Sequence, residues 1–173
     1  MHKRTNTATL TPRIDRLTGD AQAAANEILA LFDQITPAEA SIVTEIGWSV
    51  AATLAHLAGS YAPSLTRSVI ERSRAGKSLN IPDWIIHVTN WIGKMQTRRK
   101  PAAESRAQFE RDLRAALEQI ADVSDADLDR RITVPIIGQT TLEDYLRYVF
   151  VGHLHEHGGQ IRRALAPRTV ASR

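Results

Sequence analysis

The chain contains no cysteine. Disulfides, thiolate metal ligands and iron–sulfur clusters are excluded together, and any thiol nucleophile in its chemistry must come from a small molecule. Long apolar runs are missing as well: no stretch approaches the roughly 18 apolar residues of a membrane span. The opening MHKRTNTATLTPR is polar and basic, with no apolar segment behind it to make a signal peptide. A cytoplasmic protein without a membrane partner is expected. Concentrated positive charge is absent too. Net charge is only +3 although the isoelectric point is about 9.6, and the basic residues form short groups at 98–100, 130–131 and 162–163 and in the tail at Arg168 and Arg173. A nucleic-acid binder gathers such charges on one face, between polar or aromatic readers. Scattered arginines fit helix surfaces and helix ends instead, so no nucleic-acid partner is expected.

What is present reads as one folded domain. A chain of 173 residues is long enough for a single substantial core, and 43% apolar with 24% charged residues is an ordinary globular balance. Apolar positions at Ile14, Leu17, Ala21, Ala24, Ala25, Ile28, Leu31, Phe32 and Ile35 recur with a helical period. Thr36-Pro37 ends that helix, because proline disfavours the α conformation in the residue before it. Residues 38–47 read as a connection, with SIVTEIGW partly extended. Ser49 is placed to cap a second helix reaching about Ser73, with Val50, Leu54, Leu57, Ala58, Tyr61, Leu65 and Val69 on its apolar side. After a polar break at 75–84, WIIHVTNWIGKM suggests a short amphipathic lid. Pro101 opens a third long helix with Phe109, Leu113, Ala116, Leu117 and Ile120 inward, and Ser124 caps a short turn. RITVPIIGQT is the one extended stretch. Thr140, with Glu143 three residues on, forms the capping box of a last helix that stops before Pro167. The pattern predicts an all-α four-helix bundle with short inserted helices and one extended connection. Residues 13–166 are expected to form the domain, between tails at 1–12 and 167–173 whose polar composition predicts flexibility.

Chemistry concentrates in GHLHEHGGQ, residues 152–160. On a helix, positions four apart differ by about 40° and rise by about 6 Å, so His153 and His157 share a face, while His155, about 200° from His153, points elsewhere. The shared face is also that of Leu142, Leu146, Val149, Phe150, Ile161 and Leu165. Two imidazoles in line with a core stripe need hydrogen-bond partners or a metal ion. Spacing alone leaves both readings open, because HxxxH is a short pattern. A metal site needs a third ligand from another helix, and His56 is the best placed. Around it on its helix lie Ser49, Ala52, Gly59, Ser60 and Pro63, whose small side chains leave room beside the ring. His87, in the lid-like segment, and His2, in the tail, are poorer choices.

These residues resemble the DinB/YfiT-like superfamily of bacterial metal-binding proteins. The resemblance is carried by Trp48-Ser49 with His56 in LAHLAG, by His153 and His157 in HLHEHGGQI, and by VPIIGQTTLEDYL before them, over roughly residues 14–165. It implies a four-helix bundle in up-down-down-up order, often a homodimer. It also implies a divalent metal, commonly zinc or nickel, held by His56, His153 and His157. Characterised members of that superfamily include transferases and isomerases dependent on low-molecular-weight thiols such as mycothiol, bacillithiol or glutathione. The segment at 75–100, with two tryptophans, lies outside the shared motifs, and Val50-Ala51-Ala52 stands where relatives often carry polar residues.

Three imidazoles leave a divalent ion its full charge and an open position, which acidifies a bound thiol or water. The leading expectation is a metal-dependent enzyme that uses a low-molecular-weight thiol on a small electrophilic substrate, either as a transferase that leaves the thiol joined to it or as an isomerase that releases the thiol again. A non-catalytic stress or interaction protein with a structural or vestigial site is the first alternative, and a metal-hydroxide hydrolase the second. Glu156 and Tyr61 are the candidates for a catalytic side chain, and Gln160 and Ser60 for support of the ligands.

Overall fold

The computed structural model describes residues 11–79, 101–135 and 137–166. The lid-like segment with His87 and the C-terminal tail lie outside these residues, as does all of the N-terminal tail except Thr11 and Pro12. Helix α1 (Pro12–Gln34) begins two residues before the expected Ile14, because the Thr11 hydroxyl accepts the Ile14 N–H and Pro12 suits the first turn. Every apolar position predicted for it is buried except Ile35, which follows the helix and packs at the core edge. A short α2 (Pro37–Ala40) sits inside the expected connection, closed by a reciprocal Thr36–Glu39 capping box.

The second predicted helix is two helices. Helix α3 (Val50–Ser60) starts at Ser49, whose hydroxyl accepts the Ala52 N–H at 3.2 Å. It stops at Tyr61, and α4 (Pro63–Arg74) starts afresh. Pro63 explains the break: it donates no backbone hydrogen bond and drives Ala62 out of the helical region, to ψ 122°. The break resets the helical phase, so Leu65 is exposed while Thr66, Val69, Ile70 and Ser73 turn inward.

Pro101 lies one position outside α5 (Ala102–Ala121), which buries Ser105, Phe109, Leu113, Ala116 and Ile120 at helical spacing. The short α6 (Asp125–Leu128) has its expected cap at Ser124. The extended stretch is an antiparallel hairpin of β1 (Arg131–Val134) and β2 (Gly138–Thr141), with Arg131 opposite Thr141 and Val134 opposite Gly138. Gly138, at φ 80°, turns the chain into the second strand.

The cap of the last helical run is Thr141 rather than Thr140, with its hydroxyl accepting the Asp144 N–H at 3.1 Å. Thr140 is held in the hairpin opposite Ile132. Glu143, expected to complete the box, instead accepts from Arg13 and Arg147 and ties the first turn of the last helical run to α1. The run has three parts: α7 (Leu142–Arg147), a π turn at Tyr148–Gly152, and α8 (His153–Leu165).

The packing is helix on helix. Helix α5 packs on α1, α3 and α4, and α1 and α3 both pack on α8, so α1, α5, α3 and α8 close a ring of contacts. One apolar core fills it, with Tyr61, Phe109 and Phe150 among the largest fully buried side chains. No described helix is long and apolar enough to cross a membrane.

Candidate metal centre

Packing of α3 on α8 brings His56 to His153 and His157. Their ligand-capable nitrogens all lie within 4.8 Å of one another. His56 Nε2 is 3.2 Å from His153 Nε2. The rings meet edge-on in all three pairs, with centroids 5.2 Å apart for His56–His153, 5.1 Å for His56–His157 and 4.6 Å for His153–His157. Helical spacing accounts for the last pair; only the fold supplies the other two.

The surroundings hold the rings in place. Trp48, one residue before the cap of α3, sets its ring 5.0 Å from His56 in an edge contact. His157 Nδ1 is 2.7 Å from Gln160 Oε1, and both residues are buried. Tyr61, in the break after α3, places its hydroxyl 3.3 Å from His153 Nδ1 and donates to the Val149 carbonyl at 3.1 Å. Burial pushes that phenol above its ordinary range, so it stays protonated.

Burial also sets the charge of the cluster. It lowers His56 to about 4, with the neighbouring His157 adding to the shift. It lowers His153 to about 3, helped by His157 and His56. Both rings are therefore neutral at neutral pH, the form in which imidazole ligates. Ligand nitrogens bound tetrahedrally at about 2.0–2.1 Å from one ion stand roughly 3.3 Å apart. The 3.2 Å between His56 and His153 is close to that separation. The donor set thus fits a divalent cation of the zinc or nickel kind. His56 and His153 keep partial solvent exposure, while His157 is 9% exposed.

The other predicted site residues fall in different places. His155 is exposed, 3.9 Å from Glu27 Oε2, and Glu156 is exposed on the same helix. Ser60 donates to the main-chain oxygen of His56 at 2.8 Å rather than to its ring. His2 and His87 lie outside the described residues. The ring contact of Trp48 and the carbonyl contact of Tyr61 were not legible beforehand. Trp48 lies outside the helix that carries His56, and Val149 is 88 positions from Tyr61. Many surface arginines are paired with carboxylates: Arg13 with Glu143 and Asp129, Arg106 with Asp33, Arg147 with Asp20, Arg162 with Glu27 and Arg163 with Glu45.

A family model, that of the DinB superfamily, matches residues 21–161, a span that holds all three clustered histidines. No curated protein and no solved structure matches the chain.

Proposed function

The chain belongs to the DinB superfamily, and from that membership we propose that it binds a divalent metal, zinc or nickel, through His56, His153 and His157. The carrying observation is the convergence of three imidazoles from two helices on one point, with His157 backed by Gln160. The closed ring of α1, α5, α3 and α8 supports a helical bundle as the scaffold, and the up-down-down-up order is carried over from the superfamily.

The activity that best suits this site is thiol-dependent transfer or isomerisation on a small electrophile. Bound there, a divalent ion supplies a Lewis acid that lowers the pKa of a coordinated thiol or water. The chain offers no thiol of its own, so the nucleophile is a low-molecular-weight thiol. The protein's part is to keep His56 and His153 neutral by burial, to orient His157 through Gln160, and to leave the exposed side of the cluster open. A cytoplasmic homodimer acting on a small molecule completes the reading.

The test is metal content, by mass spectrometry, of untagged protein purified without chelators, beside His56→Ala and His157→Ala. The expected result is about one zinc or nickel per chain, lost in both variants while the helical circular dichroism persists. Wild-type protein that neither carries nor takes up either metal would overturn the reading. Metal-loaded protein is then screened for turnover with and without added thiols. Turnover of ester or amide substrates without thiol would favour the hydrolytic alternative over transfer.

A further inference from the structure

The π turn at Tyr148–Gly152 immediately precedes His153. There the His153 N–H donates to Tyr148 O, five residues back, rather than to Val149 O, four back. Such turns are uncommon and recur at functional positions in helices. Val149 O receives the Tyr61 hydroxyl instead.

That contact determines where several protons sit. A phenol has one proton, and a backbone carbonyl can only accept. The Tyr61 proton is therefore committed to Val149 O, and the phenol oxygen must accept in its other contact, the one to His153 Nδ1. His153 thus carries its proton on Nδ1. A neutral imidazole has only one N–H, so Nε2 of His153 is bare. That bare atom is the one 3.2 Å from His56 Nε2, which supplies the shared proton in the metal-free protein. Gln160 can face His157 with either end of its amide. The pairing of a phenol with a carbonyl has no such reversal.

We infer that Tyr61 is a positioning residue: held by the Val149 carbonyl at the π turn, it locks His153 in the Nδ1–H tautomer and so aims a bare Nε2 into the histidine cluster. The use of that tautomer rests on the metal-binding reading above; the tautomer itself needs no metal. Partners of this kind around a metal-ligating histidine fix its ring orientation, and their loss weakens metal binding by about 10–100-fold.

Two measurements on the full chain test this. The first reads imidazole tautomers in metal-free protein by two-bond ¹H–¹⁵N correlation, with His153 assigned by its loss in His153→Gln. Wild type is expected to show Nδ1–H at His153. Tyr61→Phe, which keeps the ring packed against Phe109 and Phe150, is expected to show a mixture or Nε2–H. The second is zinc affinity by chelator competition, expected to fall about 10–100-fold in Tyr61→Phe. An Nε2–H tautomer in wild type overturns the inference without any variant. So does Nδ1–H retained in Tyr61→Phe, or zinc bound equally tightly by both proteins. The expected tautomers in a protein that binds no zinc would support the positioning role of Tyr61 and reject the metal reading, which separates the two failures.

Discussion

The Nδ1 of His157 and the Oε1 of Gln160 stand 2.7 Å apart, both residues buried, one helical turn from each other on α8. With the amide oxygen turned to the ring, Gln160 accepts the His157 Nδ1–H and Nε2 is left to face the neighbouring histidines. Gln160→Ala is expected to weaken zinc binding about 10–100-fold, and Gln160→Glu, which keeps an acceptor, to restore most of it. Chelator competition on refolded, metal-free protein measures both. Equal affinity in all three proteins would remove Gln160 from the site.

Acid should destabilise the metal-free fold early. His56 is lowered to about 4 and His153 to about 3, from 6.5 for a free imidazole. Between those values the unfolded chain binds protons that the folded chain does not, so falling pH favours unfolding. Urea midpoints of chelator-treated protein are expected to drop steadily from about pH 6.5 towards pH 4. His153→Leu should drop less over the same range. An identical slope in both would place the acid sensitivity elsewhere.

A second acid transition should lie lower and belong to Asp127. Burial alone would raise this carboxyl, but hydrogen bonds from Arg74 and Ser124 outweigh it and hold the group at about 2, against 3.8 unperturbed. A depressed folded value means the stabilisation is complete above the unfolded value and disappears as pH falls through the folded one. The window is about pH 4 to 2, and the linkage is worth up to about 2 kcal/mol. Asp127→Asn should lower stability at neutral pH and flatten the profile inside that window, as read by denaturant titration. Parallel profiles would show that Asp127 contributes nothing there.

Two glycines should respond to the same substitution with opposite signs. Gly59 lies in α3 with nothing within 4 Å of an added Cβ. Gly59→Ala is expected to stabilise by about 0.5–1 kcal/mol, by restricting the unfolded chain. Gly47 also has open space but sits at φ 75°, where an L side chain strains the backbone, so Gly47→Ala should cost about 1 kcal/mol or more. Thermal melts of the two variants check both signs.

Local spacing made much of this protein legible from its sequence. The stripe of α1, the caps at Ser49 and Ser124, the extended character of residues 131–140 and the shared face of His153 and His157 all follow from dihedral preferences and helical period, which act over a few residues. The break after α3 was written in Pro63 as well, yet it lies within an apolar pattern that continues across it, and the pattern obscured the proline.

Tertiary structure decided the rest. Two neighbouring threonines offer equally good caps for the last helical run, and hairpin register chose Thr141 by holding Thr140 opposite Ile132. The π turn follows no pattern of residues 148–152 alone, and Tyr61, 88 positions away from Val149, supplies the hydroxyl that meets the displaced carbonyl. The third histidine is the clearest case. The i, i+4 period puts His153 beside His157 in any helix. Only the packing of α3 on α8 brings His56, 97 positions away, to 3.2 Å from His153, because a distance across two helices depends on the core between them and on no local rule.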